Sequence, residues 1–244
     1  MTRWTVLPDP RAVAVRTADR FVEAARSAID ERGTFFVAMS GGGTPKEVYP
    51  LLLEPERRDA VDWSRVEFFW GDERSVPPDD AESNFGVGYR MLLSQLPGVR
   101  PDRMHRMQAE SPDVDGAAIA YEAELRLAFD ARGDEPPRFD LVWLGMGPDG
   151  HTASLFPGTR ALDETARWVV ANHVEEKATW RMTLTYPVLD AARLVLFVVT
   201  GEDKAEPIRA IRAGGSGLPS ERVAGDHVEW IIDAAADGAE SNAG

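Results

Sequence analysis

One histidine in the chain is surrounded by residues that could put it to chemical use. His151 stands in LGMGPDGHTASLFPGT, residues 144–159, where four glycines and two prolines share sixteen positions with it. The apolar run FDLVWL (139–144) reads as a buried strand, and TASLF (152–156) could open a helix, which predicts a strand-to-helix junction at His151. Open α/β sheets hold ligands at such strand ends. Histidine is the natural general base near neutral pH, and Asp149 lies two residues before it between Gly147 and Gly150. A histidine that only caps a helix or satisfies a loop carbonyl is the blander reading; a glycine-rich loop after a buried strand favours chemistry. His105, His173 and His227 lack that setting, and no paired His/Asp/Glu spacing suggests a metal site.

A second loop, MSGGGTP (39–45), falls between the strand TFFVAM (34–39) and a helix that has Pro45 near its start. Consecutive glycines let backbone N–H groups approach an anion, and the helix dipole favours negative charge there. Ser40, Gly41, Gly42, Gly43 and Thr44 therefore make a candidate phosphate cradle, although a tight turn without a ligand explains the glycines equally well. The two hydroxyls tilt the balance towards binding. It is not a P-loop, because Lys46 follows Pro45 and the GxxxxGK[ST] spacing is absent.

Isolated basic residues complete the set. WGDERSVP (70–77) puts Asp72, Glu73 and Arg74 after an apolar strand, where a charge run is ordinarily a solvated turn. The position is nonetheless a strand end like the other two, and an arginine there could grip a phosphate or carboxylate in bidentate fashion. Arg181 begins the predicted strand RMTLTYP. Lysine occurs only at Lys46, Lys177 and Lys204, and Lys204 sits in the first turn of a helix, against the dipole. An anionic ligand would account for that placement.

The elements that must position these groups alternate. Strands are predicted over 12–16, 34–39, 65–70, 139–144, 167–174, 193–201 and 227–233, with helices over 19–32, from Pro45 onward, 85–96, 113–132 and 202–213. Such alternation implies a mainly parallel sheet with helices on both faces. The 244 residues are read as one α/β domain, 1–233, followed by a small, acidic tail, 234–244, expected to be disordered. The absence of Cys excludes disulfides, thiolate metal sites and cysteine nucleophiles, and makes a cytoplasmic setting the simpler expectation. No apolar run is long enough to span a bilayer. A net charge of −14 without a basic cluster argues against nucleic acid and leaves small anions as partners.

Taken together, SGGGTPKEVYPLL, FFWGDERSVPPDDAESNFGVGYRMLL, LVWLGMGPDGHTASLFPGT and RMTLTYPVLDAARLVLFVVTGEDKA resemble the 6-phosphogluconolactonases in order and spacing. That lineage is related to glucosamine-6-phosphate deaminases and ribose-5-phosphate isomerases. The resemblance covers nearly the whole chain. It implies a Rossmann-like fold, hydrolysis of 6-phospho-D-glucono-1,5-lactone in the oxidative pentose phosphate pathway without a cofactor or metal, and a monomer or weak homodimer. It also implies His151 as the water-activating base, with Asp149 beside it. The 40–44 loop, Asp72, Arg74, Arg181 and Lys204 would then surround the phosphorylated sugar. Either backbone N–H groups of residues 145–151 or Arg181 could stabilise the oxyanion. Two other readings stand beside it: an amino-sugar phosphate deaminase, whose FNEP-like residues after the histidine are SLFPG here, and a non-catalytic sugar-phosphate sensor.

Overall fold

Alternate side chains of the central strands enter two different cores, so the main sheet is covered on both faces. In β5 (Leu141–Leu144), Leu141 and Trp143 join one cluster and Val142 and Leu144 the other, and all four are buried. A strand buried on both sides must be apolar at every position, which is why these runs are continuous rather than alternating. The computed structural model describes residues 2–238.

Along the chain, β1 (Thr2–Leu7) leads to α1 (Pro10–Arg32), β2 (Phe35–Met39), α2 (Gly43–Leu52) and the short α3 (Pro55–Arg58). Then come β3 (Val66–Trp70), β4 (Asp72–Arg74), α4 (Asn84–Met91), α5 (Val114–Ala128) and β5. The last part holds β6 (Val169–Val174), β7 (Thr179–Leu184), α6 (Tyr186–Ala191), β8 (Val195–Val199), α7 (Ala205–Ala213) and β9 (Val228–Asp233). Six strands form a wholly parallel sheet in the order β1-β9-β8-β5-β2-β3. α1 and α2 pack on one face, while α5, α6 and α7 supply the core of the other. No helix among the described residues is long and apolar enough to cross a membrane.

The expected α/β architecture is present, with four local corrections. Residues 12–16 are helix rather than strand: Asp9 accepts from the N–H of Ala12 at 2.8 Å, Pro10 occupies the first turn, and Val13, Ala14, Thr17, Ala18 and Phe21 are buried at helical spacing. The N-terminal strand is instead β1, paired with β9. No helix follows His151; Thr152 and Leu155 form a bridge and Ala153 takes a left-handed φ of 47°. The third correction is a second sheet, β4-β7-β6, which is antiparallel and absent from the sequence reading. Finally, residues 234–238 form a turn with Ala236 buried and Asp237 paired to Arg212, so the body extends beyond 233; the rest of the expected tail, 239–244, lies outside the described residues.

The connection between α4 and α5 is fastened by His105. Its ring nitrogens lie 2.7 Å from Glu124 and 2.9 Å from Glu67, and the ring stacks on Phe69. Burial opposes a charge there, but the two carboxylates outweigh it and hold the His105 pKa up at about 9. Because the folded-state value lies above the unfolded one, the stabilisation is complete below about pH 6.5 and lost as pH rises through about 9. We expect His105→Gln to cost about 2 kcal/mol at pH 6 and much less at pH 10, measured by urea unfolding of both proteins. A pH-independent difference would contradict the assignment.

Candidate active site

The C-terminal ends of β2, β3, β5 and β8 open into a cleft of about 510 Å³. Ser40, Gly41, Gly42, Gly43, Thr44, Asp72, Arg74, His151, Arg181 and Lys204 all line it. Asp149 does not; it reaches the cleft only through His151. Sequence reasoning missed Asn84, Ser154 and Lys177, which also line it. Asn84 and Ser154 carried no local signal, because their importance comes from partners distant in sequence.

The glycine loop crosses from β2 to α2 with Gly42 at φ 100°, and no side chain caps the helix. Its first N–H groups are therefore left to the cleft. At Gly41 a Cβ would stand 1.7 Å from the Asn84 amide oxygen, so only glycine allows the loop to lie against α4.

The 72–74 charge run is a strand. Glu73, 3% exposed, accepts from the N–H groups of Arg74, Asn84 and Phe85, each at 2.8 Å, and from the Ser83 hydroxyl at 3.1 Å. Burial nevertheless pushes its pKa above the ordinary carboxylate value. Asp72 accepts from the Asn84 amide at 3.0 Å and the Ser154 hydroxyl at 2.6 Å, joining β4 to α4 and to the histidine loop.

β4 also sets two like charges face to face. Arg74 pairs in register with Arg181 of β7, and the Nε of each is buried with no protein hydrogen-bond partner. Burial, then the neighbouring Arg74, holds the Arg181 guanidinium below its usual pKa. Directly opposed like charges destabilise a sheet; Arg74 Nη1 donates to Glu82 O at 2.8 Å, and the two unpartnered Nε groups are suited to sharing an anion. Arg181 does not begin its strand as the sequence suggested; it is the third residue of β7.

The histidine loop is held by its own backbone. Gly147 N–H donates to His151 O at 2.9 Å, Gly150 N–H to Gly147 O at 3.0 Å, and His151 N–H to an Asp149 carboxylate oxygen at 3.2 Å. The same Asp149 oxygen lies 2.5 Å from His151 Nδ1. Burial raises the Asp149 pKa, but the hydrogen bond and charge of His151 outweigh it and leave the carboxyl below its ordinary value. An ionised Asp149 can only accept, so Nδ1 carries a proton, and the imidazole tautomer that fits this pair has its lone pair on Nε2. The imidazole stacks on Phe156 with centroids 4.0 Å apart. A Cβ at Gly147 would lie 2.2 Å from the ring. From behind, Ser220 N–H donates to Gly150 O at 3.0 Å.

Lys204 stands at the start of α7, as predicted, on a one-turn 3-10 helix, Glu202–Lys204. Asp203 pairs with its ammonium and offsets part of the unfavourable dipole, so a ligand is not needed to explain all of it.

An anion that relieves the Arg74–Arg181 repulsion should stabilise the fold. We expect inorganic phosphate at about 100 times its Kd to add about 2.7 kcal/mol, seen as a rise in Tm, and Arg181→Met to lose more than half of that rise. An equal rise in both proteins would place the anion elsewhere.

Comparison with known proteins identifies relatives of the chain. A family model described as Glucosamine-6-phosphate isomerases/6-phosphogluconolactonase matches residues 8–232. A 6-phosphogluconolactonase of Nostoc sp. is 34% identical over 239 residues, covering 96% of both chains. The solved structure of 6-phosphogluconolactonase from Trypanosoma cruzi superposes with a TM-score of 0.84 at 29% identity, covering 99% of this chain and 97% of that one. A monomeric glucosamine-6-phosphate deaminase shares the fold, with a TM-score of 0.80 at 18% identity, over 98% of this chain and all of the other. The chain belongs to the glucosamine-6-phosphate isomerase/6-phosphogluconolactonase family.

Proposed function

We propose that the cleft hydrolyses 6-phospho-D-glucono-1,5-lactone to 6-phospho-D-gluconate, the lactone-opening step of the oxidative pentose phosphate pathway. The observation that carries the reading is the Asp149–His151 pair on a cleft that Arg74 and Arg181 also line, each with a buried Nε that has no protein partner. In this mechanism Nε2 of His151 takes a proton from water as the water oxygen bonds to C1. Asp149 stabilises the imidazolium that forms, and the carbonyl oxygen becomes an oxyanion. Collapse of the tetrahedral intermediate breaks the bond from C1 to the ring oxygen, which leaves as a hydroxyl with the proton returned by His151. The new carboxylic acid then ionises and releases one proton.

The oxyanion donors stay as the sequence left them, either Arg181 or backbone N–H groups of residues 145–151. The N–H groups of Gly147, Gly150 and His151 already donate within the loop, whereas Arg181 Nε has no partner. The 40–44 loop, Asp72, Arg74 and Lys204 remain to hold the phosphate and hydroxyls. A lactone carbonyl needs no covalent nucleophile, because a positioned base and oxyanion donors address both charges that develop. The deaminase reading requires an acid after the histidine for ring opening. Residues 152–162 contain no carboxylate, and Ser154 is committed to Asp72.

With freshly generated phospholactone in weak buffer, proton release above the spontaneous rate should be proportional to enzyme, and glucosamine 6-phosphate should yield no ammonia. His151→Ala should lower kcat by about 10²- to 10⁴-fold while product affinity stays within about twofold, since a base acts mainly on the transition state. Ammonia release would support the deaminase instead. Sugar-phosphate binding with no rate above the blank would leave a sensor.

A further inference from the structure

We infer that Lys177, rather than the phosphate-facing cations, grips the C1 end of the substrate and pairs with the carboxylate that hydrolysis creates there. This inference rests on the hydrolase reading. Lys177 closes the one-turn 3-10 helix Glu175–Lys177, which joins β6 to β7, and Ala178 follows it with φ 46°. The turn thus projects an exposed lysine from the same small sheet that carries Arg181.

Three observations place its charge. Lys177 lines the cleft, together with His151. Its ammonium lies over the Phe156 ring, 5.5 Å from the centroid, and Phe156 is the ring on which His151 stacks. Lysine and histidine therefore both lie against Phe156 and both line the cleft. Third, among the described residues no carboxylate lies within 4.0 Å of Lys177, although Glu175 and Glu176 adjoin it, whereas Lys204 is paired with Asp203. An exposed ammonium resting on an aromatic face is held weakly and can exchange that contact for a better anion.

The chemistry supplies that anion at one end of the substrate only. His151 must lie against C1 to deliver water, so a cation held on Phe156, the ring that carries His151, meets C1 rather than the phosphate on C6. In the lactone C1 is neutral; after ring opening it is a carboxylate, which a lysine attracts as a point charge. The partner is thus a sugar-acid carboxylate, distinct from the phosphate that the glycine loop would take.

Two probes of equal length separate the ends. Calorimetry would compare 6-phospho-D-gluconate with D-glucitol 6-phosphate, which keeps the phosphate but has no carboxylate, in wild type, Lys177→Met and Lys177→Arg. Lys177→Met should weaken the gluconate about tenfold and the glucitol less than twofold, and Lys177→Arg should restore most of the loss. Added salt should shrink the difference, because the lysine is exposed. Equal losses on both probes would assign Lys177 to the phosphate, and no loss on either would make it a surface lysine; both results overturn the inference while leaving lactone hydrolysis intact. A wild type that binds the gluconate no better than the glucitol also overturns it. A wild type that neither hydrolyses the phospholactone nor binds either probe overturns the hydrolase reading as well.

Discussion

The cleft depends on one buried carboxylate. Removing a charge from water is costly unless hydrogen bonds replace its hydration, and Glu73 is given three backbone N–H groups and a hydroxyl. Those donors are the start of α4 and the strand of Glu73 itself, so satisfying the charge fixes the helix against β4. Asn84 is thereby positioned to bind Asp72 and to meet Gly41; Asp72 in turn holds Ser154, three residues past His151. The same strand pairs with β7 and sets Arg74 opposite Arg181. One carboxylate thus links the glycine loop, the arginines and the histidine loop into a single arrangement.

The electrostatics of the cleft run against those of the molecule. A chain with net charge −14 repels anions at long range, yet its cleft collects Arg74, Arg181, Lys177 and Lys204. Beyond a Debye length of about 8 Å the net charge is screened, and inside it the local cations decide. Holding Arg74 and Arg181 together with both Nε groups unpartnered costs stability, a cost that a bound anion would recover. The free protein is thereby prepared for an anion before one arrives.

Much of this was legible in the sequence because strand ends are legible. The apolar runs 35–39, 66–70, 141–144 and 195–199 mark buried parallel strands, and the groups just after them converge by the geometry of the sheet. What local pattern could not show was pairing between distant segments. DER (72–74) is too short and too charged to look like a strand, and becomes one because β7 pairs with it. AVAVR alternates only because alanine and valine do; the Asp9–Pro10 cap decides for helix. TASLF stays unwound because Thr152 donates to Gly145 O and Ser154 is drawn to Asp72. Lys177 offered no signal, since its place in the cleft is set by the β6–β7 turn.

If His151 is the base, Asp149 acts on the reaction only through it. A double-mutant cycle of Asp149→Asn and His151→Ala, read as kcat for phospholactone hydrolysis, tests this most directly. Asp149→Asn should lower kcat by about tenfold or more when His151 is present and change it less than about twofold when His151 is alanine. Losses that multiply in the double variant would contradict it, because Asp149 would then be acting on the substrate by a route of its own.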